Sequence, residues 1–335
     1  MSVLSPEPDI NRATVASRSM AEPPVAPPAC PLCEGVQTGT IATITLEQLL
    51  KAWEMVGARL SPEALGSLQN VPRIHLWHCH DCGFEFSHFD GAGGALFYEE
   101  LQRQLPAYYP SNSPEYGRAL KFGREYGLAE VLDVGCGAGA FLKLAKEAGL
   151  RTYGVELNPQ AAANAREAGH TIYNELLNVI IARGGHSRFE FVTTWQVLEH
   201  VSDPVAFLRD CARFVKPGGY LAVAVPTEDG INSLSPGNPH FWPPHHTSRW
   251  RLKHLRQIGE KVGLRFVRGG NDPLDPYNAR YMWELHNTLA PVFQHRPHPG
   301  GRIVPKLLAA FVARTRIHKL LPDWGHSTYA FFQSR

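Results

Sequence analysis

The chain has 335 residues, a formal net charge of +2 and 44% hydrophobic residues, enough for one large domain and a small one with an ordinary share of core-forming side chains. The near-balanced charge gives no electrostatic case for nucleic acid or an anionic membrane surface. No apolar run is long enough to span a bilayer.

In chain order, residues 1–29 are rich in Pro, Ala, Ser and Glu, with Pro23-Pro24 and Pro27-Pro28. They have neither the basic start nor the apolar stretch of a secretory signal, so they read as a disordered tail and the protein as cytoplasmic. Residues 30–89 read as a zinc-ribbon-like module. Cys30-Pro31-Leu32-Cys33 and Cys79-His80-Asp81-Cys82-Gly83 form two C-x-x-C knuckles. Each short loop lets two thiolates face one ion, and four of them suit a tetrahedral, structural Zn2+. A reducing compartment disfavours disulfides, and a second pair argues against the redox-dithiol alternative. The gap between knuckles exceeds what a minimal ribbon needs. Thr45-x-x-Gln48 has a capping-box pattern with Leu46, Leu49, Leu50, Trp53 and Val56 at helical spacing, which predicts an inserted helix. Arg73 to His78 alternates into the second knuckle and Phe84-Glu85-Phe86 leaves it, predicting a β-hairpin with the metal site at its turn. His75, His78, His80 and His88 read as solvated hairpin residues, with His78 or His80 the minor alternative ligands.

A connector, 90–114, holds Gly91-Ala92-Gly93-Gly94, a predicted helix from Ala95 to Leu105, and Tyr108-Tyr109-Pro110. Residues 115–335 then alternate. Strands are expected near 130–134, 151–156, 170–173, 190–194 and 220–225. Helices are expected from Pro159 to Ala168 and from Pro204 to Val215, the latter with Asp203 as N-cap. Such alternation demands a mostly parallel sheet covered on both faces. A helix from about Trp250 to Val262, a strand from Leu264 to Val267 and a last strand from Ser327 to Phe332 complete it. Two segments interrupt the plan. Residues 227–247 form a long loop, His240-Phe241-Trp242-Pro243-Pro244-His245-His246 included, leaving the sheet edge where α/β folds bind ligands. Residues 270–325 include a predicted amphipathic helix, Val304 to Leu320, bearing Arg314, Arg316 and Lys319; a lid and a homodimer surface both fit it.

The chemistry concentrates in Val131-Leu132-Asp133-Val134-Gly135-Cys136-Gly137-Ala138-Gly139-Ala140-Phe141. An apolar strand ends in a glycine-rich turn that opens a helix, bringing backbone N–H groups against a ligand. About twenty residues on, Glu156 ends a second strand, a spacing that suits a carboxylate on a ribose. An adenosine-containing cofactor is expected. Gly135-x-Gly137-x-x-Ala140 also satisfies the dinucleotide fingerprint, but the negative charge of Asp133 disfavours a pyrophosphate and suits a ligand carrying ammonium and sulfonium groups.

With Phe189–His200 and Lys216-Pro217-Gly218-Gly219-Tyr220 to Pro226, the chain from about Glu115 onward resembles the class I S-adenosylmethionine-dependent methyltransferases. The resemblance rests on DVGCGAGAF, GVELNP, TTWQVLEHVSDP and KPGGYLAVAVP in that order. It implies a doubly wound α/β fold, a mostly parallel seven-stranded sheet with the last strand inserted antiparallel. It implies S-adenosyl-L-methionine held by Gly135, Cys136, Gly137 and Gly139, its amino group on Asp133 and its ribose on Glu156 beside Leu157. Thr194 and Gln196 line the transfer centre. Some bacterial members carry a similar cysteine-knuckle segment followed by a stretch like Phe97-Tyr98-Glu99-Glu100-Leu101. Candidate acid–base or substrate-contacting residues are His200, just past the fourth strand, and His245 and His246 on the loop; Cys136 and Cys211 read as packing residues. The expected partner is a small-molecule methyl acceptor, such as a sugar or another biosynthetic intermediate. An RNA methyltransferase is disfavoured by the balanced charge, and by Thr194-Trp195-Gln196 where nucleobase amino-methylases carry Asn/Asp-Pro-Pro-aromatic. A catalytically silent cofactor-binding scaffold is the remaining alternative.

Overall fold

The computed structural model describes residues 26–87, 92–105, 113–184, 189–293 and 323–335. The tail up to residue 25, His88, Tyr108-Tyr109-Pro110 and the expected helix from Val304 to Leu320 lie outside the described residues. The N-terminal part runs β1 (Thr38–Thr45), α1 (Leu46–Met55), α2 (Pro62–Leu65), β2 (Arg73–Cys79), β3 (Glu85–Phe86), α3 (Ala95–Gln104) and α4 (Pro114–Glu125). There follow β4 (Glu130–Val134), α5 (Ala140–Glu147), β5 (Arg151–Val155), α6 (Pro159–Glu167), β6 (Thr171–Tyr173), α7 (Leu177–Ala182), β7 (Phe189–Trp195), α8 (Pro204–Arg213) and β8 (Val215–Pro226). The chain closes with β9 (Ser248–Arg249), α9 (Leu252–Lys261), β10 (Arg265–Asn271), α10 (Pro276–Phe293) and β11 (Ser327–Gln333).

Seven strands form one sheet in the order β10-β11-β8-β7-β4-β5-β6. The β8 to β6 half is parallel, and β11 is inserted antiparallel between β10 and β8. This is the doubly wound class I arrangement that the alternating pattern and the family resemblance imply. Its central strands are buried on both faces: all of β4, and Leu221 to Val225 of β8. Near-continuous apolar runs are what parallel strands covered by helices require. The start of α8 is capped by the expected Asp203 and that of α6 by Asn158. Asp203 accepts from the Ala206 N–H at 2.8 Å, and Asn158 from those of Gln160 and Ala161 at 2.9 and 3.0 Å.

The cysteine-bearing segment builds a second sheet, β1-β2-β3-β9. The inserted helix is α1, and Thr45 and Gln48 form the reciprocal capping box. The last strand of this sheet comes from beyond the 227–247 loop: Glu85 pairs with Arg249 and Phe86 with Ser248. Arg251 then binds Glu85 at 2.9 Å, and Trp250 meets Phe84 edge-on at 4.8 Å between centroids. Cys30, Leu32, Phe84 and Phe86 share one apolar core with Trp250, Leu255 and Ile258 of the catalytic half.

A further apolar cluster joins Leu49 and Trp53 of α1, Phe97 and Leu101 of α3, Phe241 and Trp242 of the loop, and Met282, Leu285 and Leu289 of α10. Trp53 is fully buried, and truncating such a side chain costs about 3–5 kcal/mol. The 227–247 loop is therefore a packed element, built from two 3-10 turns at Ile231–Leu234 and Pro239–Phe241. No helix among the described residues is long and apolar enough to cross a membrane.

Candidate active site

The glycine turn is built by the parallel pairing of β4 and β5. Past the end of β4, the N–H groups of Gly135 and Cys136 both reach the Val155 carbonyl, at 2.8 and 3.1 Å. Gly135 has φ +79°, and a Cβ there would lie 2.4 Å from Cγ2 of Val197. Only glycine relieves both constraints. Gly139, also left-handed, begins α5 with no side-chain cap, leaving the helix N-terminus open to a ligand. Glu156 lies against this turn. One carboxylate oxygen accepts from the Gly137 N–H at 2.8 Å and the other from the Asn158 N–H at 2.7 Å. Each oxygen retains a lone pair for a further donor. Leu157 beside it is half exposed. Cys136 is buried, its thiol pushed up by burial and then by Asp133 and Glu156, so it is a packing residue rather than a nucleophile. Replacing Gly135 by alanine should weaken S-adenosylmethionine binding about a hundredfold. The left-handed conformation alone costs a non-glycine residue about 1–2 kcal/mol, and the clash with Val197 adds to it. Calorimetry on the two proteins decides; a change under threefold refutes the role given to this turn.

Beside the turn stand two buried acids. Asp133, at 2% exposure, accepts from the Thr193 hydroxyl at 2.7 Å, and burial pushes its carboxyl up to about 8, with the nearby Glu156 adding to the shift. Glu115, in the first turn of α4, accepts from the Gln196 amide at 3.0 Å while its other oxygen has no partner. Neither acid has an ion-pair partner among the described residues. A buried carboxyl group without a counter-cation is costly to ionise, and a positively charged ligand beside it would offset that cost. Gln196 is held by Glu115 and by the Ser327 hydroxyl at 3.1 Å, in a left-handed conformation at φ +55°. Thr194 is fully enclosed within the sheet, its hydroxyl unpartnered.

The three candidate histidines converge. Their ring nitrogens offer one ligand atom each, all within 4.8 Å of one another. The Nδ1 of His200 meets the His245 carbonyl at 2.6 Å, and that of His245 meets the His240 carbonyl at 2.8 Å. A carbonyl only accepts, so both rings carry the proton on Nδ1 and leave Nε2 unprotonated. Burial pushes His200 down to about 4 and holds His245 and His246 well below the ordinary imidazole value, so all three are neutral at pH 7. Thr247 fixes the loop: its N–H and hydroxyl reach the Glu199 carbonyl at 2.8 and 3.2 Å, and the hydroxyl also reaches the Val201 carbonyl at 2.8 Å. The N-terminal module supplies a wall. Trp53 meets His240 and His245 at 4.7 and 5.9 Å between centroids, and Tyr98 meets His200 at 5.7 Å.

Glu115, Glu199, Trp53 and Tyr98 carry no site role in the sequence reading. Glu199 is the most telling of them: 1% exposed, neither carboxylate oxygen bonded, and pushed up to about 8 mainly by burial. Its signal was its place directly before His200.

The four knuckle cysteines also converge, every sulfur within 4.8 Å of the others. The Cys30–Cys82 and Cys33–Cys79 sulfurs are 3.8 and 3.5 Å apart. A tetrahedron with Zn–S bonds of about 2.3 Å has edges of about 3.8 Å, so the donor set fits a zinc ion. His75 and His78 are half-buried and His80 exposed, outside this set.

Comparisons with known proteins identify the family. The methyltransferase domain family matches residues 97–268, just over half of the chain. The ubiquinone biosynthesis O-methyltransferase of Leptothrix cholodnii is 34% identical over 182 residues, covering 48% of this chain and 74% of that protein. Its namesake from Thiobacillus denitrificans is 37% identical over 97 residues, 28% of this chain and 42% of that protein, so the chain spans less than half the length of some curated relatives it matches. A solved SAM-dependent methyltransferase from Archaeoglobus fulgidus is 17% identical with a TM-score of 0.46, covering 71% of this chain and 99% of that one. The chain belongs to the class I S-adenosylmethionine-dependent methyltransferases.

Proposed function

We propose that the protein transfers a methyl group from S-adenosyl-L-methionine to a small-molecule acceptor lodged between Gln196, the histidine cluster and the wall formed by Trp53 and Tyr98. The bound cofactor supplies a methyl group on a sulfonium, ready for in-line displacement. The chain's contribution is placement: an acceptor atom held a few ångströms from that carbon on the S–CH3 axis meets most of the barrier already lowered. Asp133 and the backbone of Gly135 to Gly139 hold the methionine part, and Glu156 with Leu157 the ribose and its neighbour. His200, His245 and His246 face the acceptor. Held neutral by burial, they act by positioning the acceptor rather than as strong bases. The observation carrying this reading is that convergence beside the end of β7, next to buried acids with no cation of their own. The curated relatives methylate oxygen by name, which favours a hydroxyl as the acceptor.

We further infer that Cys30, Cys33, Cys79 and Cys82 hold a structural Zn2+. The four sulfurs form a closed set with no position left for a substrate.

Incubating the protein with methyl-labelled cofactor and a metabolite extract tests the transfer. A labelled small molecule is expected. Label appearing only in added RNA points to an RNA methyltransferase. Tight cofactor binding with no labelled product points to a silent scaffold.

A further inference from the structure

Three imidazoles and one carboxyl group are brought together out of water, and neither oxygen of the carboxyl group has a hydrogen-bond partner. Oε1 of Glu199 lies 3.7 Å from Nε2 of His200 and 4.0 Å from Nε2 of His246, just beyond hydrogen-bond reach. A buried acid without donors is destabilising unless something cationic sits beside it.

We propose that His200, His245 and His246, with Glu199 as the anionic partner, form a second metal site, one that takes a divalent transition ion of the zinc class. The ligand chemistry fits, because imidazole and carboxylate donors together bind Zn2+ and its borderline neighbours. The tautomers fit as well. Metal-bound histidines characteristically donate their other ring N–H to a carbonyl, and His200 and His245 both do so, to His245 and His240. His246 makes no side-chain hydrogen bond among the described residues. An ion bound at about 2.0–2.1 Å would set tetrahedral nitrogens about 3.4 Å apart. From nitrogens already within 4.8 Å of one another, the closure is on the order of an ångström. The site's backbone is fixed by Thr247, which ties the loop to the turn bearing Glu199 and His200. It is separate from the cysteine set, sharing no ligand with it. Its use in orienting an oxygen of the acceptor rests on the methyl-transfer reading; its existence does not.

The test is metal stoichiometry on the full-length protein. Loaded with Zn2+ and desalted, the wild type should retain two equivalents, and His246→Ala and Glu199→Gln should each retain about one. Loaded with Co2+, the wild type should show thiolate-to-cobalt charge transfer together with the weaker visible bands of a nitrogen–oxygen site. His246→Ala should lose only the latter, which shows that the variant is folded around its cysteines. Glu199→Gln should weaken the second equivalent about tenfold to a hundredfold. A wild type that holds a single equivalent, with thiolate bands alone, overturns the proposal whether or not the protein transfers methyl groups. Two equivalents without methyl transfer would leave the site standing and refute the functional reading instead.

Discussion

Affinity for S-adenosylmethionine should rise about tenfold per pH unit from about pH 6 to pH 8 and then level off, and Asp133→Asn should remove the slope. The argument runs through protons. In the free protein burial pushes the Asp133 carboxyl up to about 8, so near neutrality it is largely protonated. A ligand ammonium favours the carboxylate, so binding below that pH must expel a proton at about 1.4 kcal/mol per unit. For the free protein the sign is opposite. A carboxyl whose folded value lies above its unfolded one stabilises the fold fully below about pH 4, and that contribution is lost as pH rises to about 8. Cofactor should therefore raise the melting temperature more at pH 8 than at pH 6. Calorimetry in two buffers of different ionisation enthalpy reads the proton directly: about one released at pH 6.5 by the wild type, none by Asp133→Asn. A pH-independent affinity in the wild type would remove Asp133 from the cofactor's amino group.

Asp133 was legible because its position is set by local sequence: two residues before Gly135, at the end of an apolar strand. The same holds for Glu156, for the caps at Thr45 and Asp203, and for the cysteine pairs, each of which needs only a short stretch of chain. The strand β11 was legible in its own residues, whereas its antiparallel insertion came only from the family resemblance. What escaped depends on distant partners. Ser248 and Arg249 carry no strand signal of their own, and become β9 only because Glu85 and Phe86 present an open edge. Glu115 and Glu199 look like ordinary surface acids until packing removes their water. The helix α10 is a different case, since Met282, Leu285 and Leu289 stand at helical spacing and all face the core.

The second large effect concerns the cysteine module. Cys79→Ser should abolish the zinc binding proposed for the four cysteines and lower kcat/KM by at least about a hundredfold, although none of the four belongs to the proposed reaction centre. Cys79 is fully buried at the end of β2, and its neighbours in the chain lead directly into β3, the strand that pairs with β9. Beyond β9 in one direction lies Trp250, packed on Phe84; in the other lies Thr247, which fixes His245 and His246 against Glu199. Structural zinc sites contribute about 10–16 kcal/mol in isolated fingers. Here apolar contacts shared with the catalytic half retain part of the module's order, so the protein should stay folded with a lower melting temperature. What it should lose is the alignment of Trp53 and Tyr98 on the histidines, and a displacement of about an ångström at a reacting centre costs roughly a hundredfold. Cofactor affinity separates this from global damage, because the glycine turn and Asp133 belong to the other sheet. It should change less than threefold while turnover collapses. A Cys79→Ser protein with full turnover and no zinc at the cysteines would show that the module stands apart from the site it walls.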